Sequence, residues 1–314
     1  MLIYVARRIL WIATTLVVLS ILIFAITQIL PGSVARVIAG QFAGQEAVDA
    51  IAAKLGLNDP FYLQYWRWAS SVLRGDLGRS LIMERPIAPI LWSALTNSAL
   101  LAGLAFTFVT VAGISLGVLA AVRHNRLVDH IVSLFTFLGI SVPEFFWGIV
   151  LILIFARYLQ WLPAGGAADP GSSMKTLAAH AALPSATLAF ALIAHVSRMT
   201  RSSMLDVLRS QYVRYARAKG LPEHVVIIRH ALRNALLPTI TVLAIDVGWL
   251  IGGVVVTEEV FAYPGLGRAL IFAIERHDLP MIQASILVVA AIYCVSNLIA
   301  DLLYAFFNPR IRYG

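Results

Sequence analysis

Residues 9–29 read ILWIATTLVVLSILIFAITQI, twenty-one positions without a charge. Crossing the hydrocarbon core of a bilayer takes about 20 mostly apolar residues in a helix. This run therefore decides the fold class: an all-α integral membrane protein. Working outward, five more segments meet the same rule, at about 94–122, 131–159, 177–197, 236–257 and 282–307. The fourth is the weakest, because it contains His180, Pro184 and His195. Composition agrees. Of 314 residues 60% are hydrophobic and 13% charged, with a mean hydropathy of +0.84, whereas soluble domains carry about 25% charged residues. Too few polar side chains remain to coat a water-soluble core, which excludes a soluble enzyme, a disordered tail and a disulfide scaffold. Cys294 is the single cysteine and lies in an apolar run, so neither a disulfide nor a cysteine metal site within the chain is implied.

A competing reading makes residues 9–29 a secretory signal, with Ser33-Val34-Ala35 as a small-residue cleavage site. The charge-free run exceeds the roughly 7–15 residues of a signal core, and the span reading is preferred. Six spans put both termini on one face. Basic residues then set the orientation. With a cytoplasmic N-terminus, the cytoplasmic segments hold 14 basic residues: Arg7 and Arg8, Arg123 and Arg126, eight from Arg198 to Arg233, and Arg310 with Arg312. Only Asp129, Asp206 and Glu223 oppose them there, while the outer segments balance ten basic residues with ten acids. The net charge of +8 thus follows from orientation in the membrane, and nucleic acid is not needed to explain it.

Two connections are long. The outer segment 31–93 is amphipathic and Trp-rich, and is expected to form short helices at the membrane surface. Its Tyr62–Trp68 stretch has the aromatics of an interfacial belt. The cytoplasmic segment 198–237 is more informative. Ser210 is placed to N-cap a short helix, Tyr212–Lys219, which Gly220 and Leu221-Pro222 stop. A second helix is expected from Glu223 to about Leu236, ahead of Leu237-Pro238 and the fifth span. Two basic helices around a Gly-Pro corner make a protruding elbow, with apolar positions that a solvated loop would not need.

Catalytic patterns are missing from the sequence. A phosphate loop needs Gly-Lys before Ser or Thr, but the residues preceding the three lysines are Ala53, Met174 and Ala218. The histidines show no i, i+4 pair and no His-Glu-x-x-His, so no metal site is read. His124/His130 and His224/His230 are six apart, on different helix faces. Acids inside spans need more explanation, since a charge at mid-bilayer costs at least ~2.5 kcal/mol. Glu144 follows Pro143, which is expected to kink the third span, and Asp246 lies midway along the fifth. Two readings are open for each: lining a path for a cationic group, with Phe145 beside Glu144, or a structural bond to a neighbouring helix. Asp301, nearer a span end, reads as structural. Gly113-x-x-x-Gly117 and Gly248-x-x-x-Gly252 allow close helix packing, within the chain or against another subunit.

The elbow, Tyr212-Val-Arg-Tyr-Ala-Arg-Ala-Lys-Gly220 with Arg229-His-Ala-Leu-Arg-Asn-Ala-Leu-Leu-Pro238, resembles the signature loop of ATP-binding-cassette importer permeases, dipeptide/oligopeptide/nickel branch, first-permease type. Four other segments agree: Leu30-Pro31-Gly32; Leu55-Gly-Leu-Asn-Asp-Pro60 with Gln64-Tyr-Trp66 and Arg74-Gly-Asp-Leu-Gly78; Glu258-x-x-Phe261-x-x-Pro264-Gly-Leu-Gly267; and Asp301-Leu-Leu-Tyr304 with Asn308–Arg312. The match runs nearly end to end, as one transmembrane permease domain over 1–314. It implies a translocation subunit in a bacterial inner membrane, with ATP and Mg bound by partner ATPases and no cofactor held by this chain. It also implies a second homologous permease, two cytoplasmic ATPases and an extracytoplasmic substrate-binding protein. The coupling helix would present Tyr212, Arg214, Tyr215, Ala216, Arg217, Ala218, Lys219, Gly220 and Leu221. The broader signature starts Glu-Ala-Ala, where Arg214-Tyr215-Ala216 stand here. Peptides are the expected cargo. Nickel chelates, opines or sugars are the alternative within the class, and a membrane enzyme using Glu144, Asp246 and His195 the alternative outside it.

Overall fold

The structure is a computed structural model that describes residues 2–29, 34–39, 43–54, 58–169 and 171–307. The Ser33 cleavage motif, Leu30-Pro31-Gly32, Leu55-Gly56-Leu57 and Asn308–Arg312 lie outside the described residues. Fourteen α-helical segments follow in order among those described: α1 (Leu2–Ile29), α2 (Val34–Ala39), α3 (Gln45–Lys54), α4 (Phe61–Leu73), α5 (Ile87–Phe108), α6 (Ile114–Val122), α7 (Leu127–Ser141), α8 (Glu144–Leu151), α9 (Met174–Leu208), α10 (Gln211–Ala218), α11 (Glu223–Val225), α12 (Arg233–Val260), α13 (Leu266–Glu275) and α14 (Leu279–Phe307). Three π-helical stretches, Val109–Gly113, Ile152–Tyr158 and Val226–Leu232, extend or join them. Among the described residues, five helical runs are long and apolar enough to cross a membrane, or six if a bent pair counts as one.

That pair is the largest departure from the expected spans. The third was read as one kinked helix over 131–159. Instead, Leu127–Ser141 and Glu144–Tyr158 turn by 112°. Val142 is extended (φ −104°, ψ 132°), the conformation a following proline favours, and Pro143 opens α8. Glu144 is therefore the first residue of a new helix. Its carboxyl stands at the positive end of that helix's dipole, at the break in the bent pair. Pro238 gives the opposite result. The helix expected to end near Leu236 runs through it, and Glu223–Val260 is continuous by way of the π stretch.

The chain divides into two compact units, 1–97 with 265–294, and 98–264 with 295–314. In the first, α1 leaves Leu10, Trp11, Val18 and Leu22 exposed, as a lipid-facing helix would. Phe24 on its other side packs edge-on to Phe61 and Tyr65 and against Trp68, and Ser20 Oγ is 2.8 Å from the Tyr65 hydroxyl. The expected interfacial belt is thus split: Tyr62 and Trp66 face outward, while Tyr65 and Trp68 fasten α4 to α1. Asp278 is fully buried and accepts from Ser80 Oγ and from the Leu81 amide, 3.2 Å away.

The second unit is organised around α9, which packs on α6, α7, α8 and α12. Its core joins Leu101, Val109, Leu188, Leu192, Val196, Val242, Leu250 and Phe261. Small residues set the spacing. A Cβ on Gly117 would stand 2.6 Å from the Ser197 carbonyl oxygen, and one on Gly113 would stand 2.8 Å from Val196 Cγ1. Both glycines of that motif therefore pack within the chain. In α12 the tight contact falls one residue later than the motif suggested, at Gly253 against Glu144. The Glu258–Gly267 motif forms a packed corner. Ser98 Oγ donates to Glu258 at 2.5 Å, the Tyr263 amide donates to the Glu258 carbonyl at 2.8 Å, and Phe261 is buried.

Candidate functional site: the elbow and the acids within the spans

The elbow begins where α9 ends. Ser210 occupies the N-cap position of α10, but its hydroxyl donates back to the Val207 carbonyl at 2.6 Å and caps nothing ahead of it. Val213 and Ala216, three apart on one face, are buried. They join Ala121, Met204, Val226, Ala231 and Ala235 in a small core. The rest of α10 is outside: Tyr212, Arg214, Tyr215 (67% exposed), Arg217, Ala218 and Lys219, with Gly220 and Leu221 beyond them. Ala216 alone of the expected coupling residues is turned inward, where it seats the helix.

Three features define the corner. Gly220 has φ +76°, which an L side chain adopts only with strain, while the space around its Cα is open. Arg217 holds Glu223 through a fork, Nη2 to Oε1 at 2.6 Å and Nε to Oε2 at 3.1 Å. The Arg217 guanidinium keeps the Glu223 carboxyl below its ordinary value. Asn234 Nδ2 donates to the Tyr212 hydroxyl at 2.8 Å, tying α10 to the root of α12.

The acids within the spans do not meet. Thr257 Oγ1 donates to Glu144 Oε1 at 2.5 Å, and the neighbouring Phe145 is exposed. Asp246 is 1% exposed. Its Oδ1 lies 3.2 Å from His195 Nδ1, and its buried Oδ2 has no hydrogen-bond partner among the described residues. The His195 side chain is 43% exposed. Asp246 and Thr257 share the inner stripe of α12 but are eleven residues apart, about 16 Å along the helix. The acid–base trio of the membrane-enzyme reading is therefore not assembled. His195 and Asp246 pair, and Glu144 lies against Gly253 and Thr257, two to three turns along α12 from Asp246.

One cluster escaped the sequence reading. Asp129 is buried at the start of α7 and takes a two-pronged contact from Arg201: Nε to Oδ1 at 2.6 Å and Nη2 to Oδ2 at 2.8 Å. The Asn125 amide, at 2.9 Å, and His124 Nδ1, at 3.1 Å, complete the carboxylate. The pair is 72 residues apart in the chain, and both residues stood among charges assigned to solvated cytoplasmic segments. No local spacing could have joined them.

Comparisons with known proteins agree with this architecture. Residues 113–313 match the family described as binding-protein-dependent transport system inner membrane component, and residues 1–106 match its N-terminal companion. The glutathione transport system permease protein GsiC of Escherichia coli K12 is 40% identical over 321 aligned residues, covering all of both chains, as is that of Shigella dysenteriae serotype 1. Among solved structures, the inward-facing MetNI methionine ABC transporter gives a TM-score of 0.56 at 16% identity, covering 70% of this chain and 96% of that one. An amino acid ABC transporter gives 0.51 at 19% identity, covering 71% and 94%.

Proposed function

The chain belongs to the family of binding-protein-dependent transport system inner membrane components, and on that footing we propose that it carries short peptides and peptide-like solutes, glutathione among them, into the cell. It is the permease subunit of an ATP-binding-cassette importer, a multi-pass protein of the bacterial inner membrane. In such a system ATP is hydrolysed by separate ATPase subunits and a substrate-binding protein delivers the cargo, so this chain is not itself an enzyme. A second, similar permease completes the pathway, and two ATPases hold the nucleotide and Mg. The N-terminus and the elbow face the cytoplasm, as the distribution of basic residues favours.

One observation carries the coupling role. The α10 helix turns its tyrosines and basic residues outward while Val213 and Ala216 sit in a core shared with α9 and the root of α12. A push on the exposed face therefore reaches two spanning helices through packed side chains, and the Tyr212–Asn234 bond and Arg217–Glu223 fork resist flexing. The chain would then alternate between inward- and outward-open states as the ATPases close and part. Glu144, Phe145 and Asp246 are assigned to the path of the solute.

The test is reconstitution with the partner chains in liposomes, scored for ATP-dependent uptake across a panel of peptides, glutathione, sugars and nickel chelates. Gly220→Val imposes a left-handed backbone strain of about 1–2 kcal/mol and is expected to abolish uptake with membrane insertion intact. Undiminished uptake would sink the coupling role. Glu144→Gln is expected to change the half-saturating solute concentration more than the yield of assembled complex. The reverse result would make Glu144 a packing residue.

A further inference from the structure

Between α7 and α9 lies a cavity of about 270 Å³. It opens on the surface, and its lining mixes polar and apolar side chains. Arg198 and Arg201 project from neighbouring turns of one α9 face, and the hydroxyls of Ser133, Ser141 and Ser197 border the same space. Arg201 is already engaged by Asp129. Arg198 is exposed and makes no hydrogen bond or ion pair among the described residues. Ser197 is 1% exposed, lines the cavity and has no hydrogen-bond partner among those residues. An exposed guanidinium with no protein acceptor among the described residues, beside a serine on the cavity wall, leaves donors free for an anionic ligand.

The remaining walls say what kind of acceptor. Phe137 and Ile140 line the cavity and are also exposed on the outer face of α7, where Leu134 and Leu138 extend the apolar surface. An occupant must therefore be anionic at one end and apolar where it leaves the cavity. Free phosphate meets only the first condition. Basic pockets between spanning helices at the cytoplasmic side are suited to the head groups of acidic lipids.

We infer that the α7–α9 cavity binds the phosphate of an anionic phospholipid, with Arg198 and Ser197 as its donors and the acyl chains laid along Phe137 and Ile140. Arg201 lines the same cavity, but its Nε and Nη2 are already given to Asp129. The inference goes beyond the importer reading. It needs the chain to span a membrane, but not any particular solute.

The full chain, purified in mild detergent, should retain one phosphatidylglycerol by native mass spectrometry, in preference to added phosphatidylcholine. Arg198→Gln should weaken retention at least tenfold and Ser197→Ala severalfold, while Arg123→Gln, outside the cavity, leaves it unchanged. Millimolar inorganic phosphate should not displace the lipid. Three results would overturn the inference: no selective retention by the wild type, equal retention by both cavity variants, or displacement by inorganic phosphate, which would make this a site for small oxyanions. Solute uptake is measured separately, so failure of the importer reading leaves this result standing.

Discussion

Asp129 and Asp246 are buried alike, at 2% and 1% exposed, yet their surroundings differ in kind. Asp129 has both oxygens engaged, by two guanidinium nitrogens, a backbone amide and an imidazole. Asp246 has one imidazole and one orphan oxygen. A carboxylate so fully matched is a clasp: it fixes α7 to α9 and has nothing left to offer a ligand. A half-matched one holds unused binding capacity, kept beside a half-exposed histidine. Burial alone does not separate the two acids; the count of unmet lone pairs does.

The contrast can be broken by experiment. The largest effect belongs to Asp129→Ala, which strands Arg201 against α7. Arg201 is 29% exposed, so losing its charge-assisted bonds should cost about 2 kcal/mol, read as a lowered thermal midpoint of the purified chain in detergent. Asp246→Asn comes next. It removes a charge that is only half matched, so stability should move by no more than about 1 kcal/mol, while uptake changes clearly. If the two variants proved equally unstable, Asp246 would be a clasp as well.

The smallest effect sharpens the comparison, because Arg217 and Glu223 repeat the Arg201–Asp129 fork in the open, with side chains 42% and 55% exposed. Water screens such a pair. Glu223→Gln should cost no more than about 0.5 kcal/mol. The sign with pH follows from the lowered folded-state value. The contribution is full above the ordinary carboxyl value of 4.5 and is lost as pH falls through the lower one. A melt of the wild type and of Glu223→Gln should therefore converge in acid, and a gap that widened there would reverse the assignment.

Much of this was legible in the chain. Runs such as 9–29 announce spanning helices because the bilayer demands length and apolarity, both local properties. The elbow was legible for the same reason: Gly220, Pro222 and the spacing of Val213 and Ala216 are local signals, and α10 appears within a residue or two of its expected place. The prolines were not legible. Pro143 ends a helix, whereas Pro184 and Pro238 lie inside uninterrupted ones. A proline weakens the helix everywhere, but whether the helix breaks depends on what packs across it. Pro184 is buried in a helix enclosed on several sides, which no nearby residue encodes. The Asp129–Arg201 clasp and the Ser98–Glu258 bond were hidden likewise, since each joins positions far apart in the chain.

The α9 helix is 35 residues long and unbroken, which is about 52 Å and well beyond the roughly 30 Å hydrocarbon thickness. Such a rod works as a lever. If it pivots as a whole by about 10°, one tip moves about 9 Å relative to the other, enough to open or shut a passage for a small solute. A modest displacement of a surface corner would then become a wider stroke at the far end of the helix, with gearing set by where along its length it pivots.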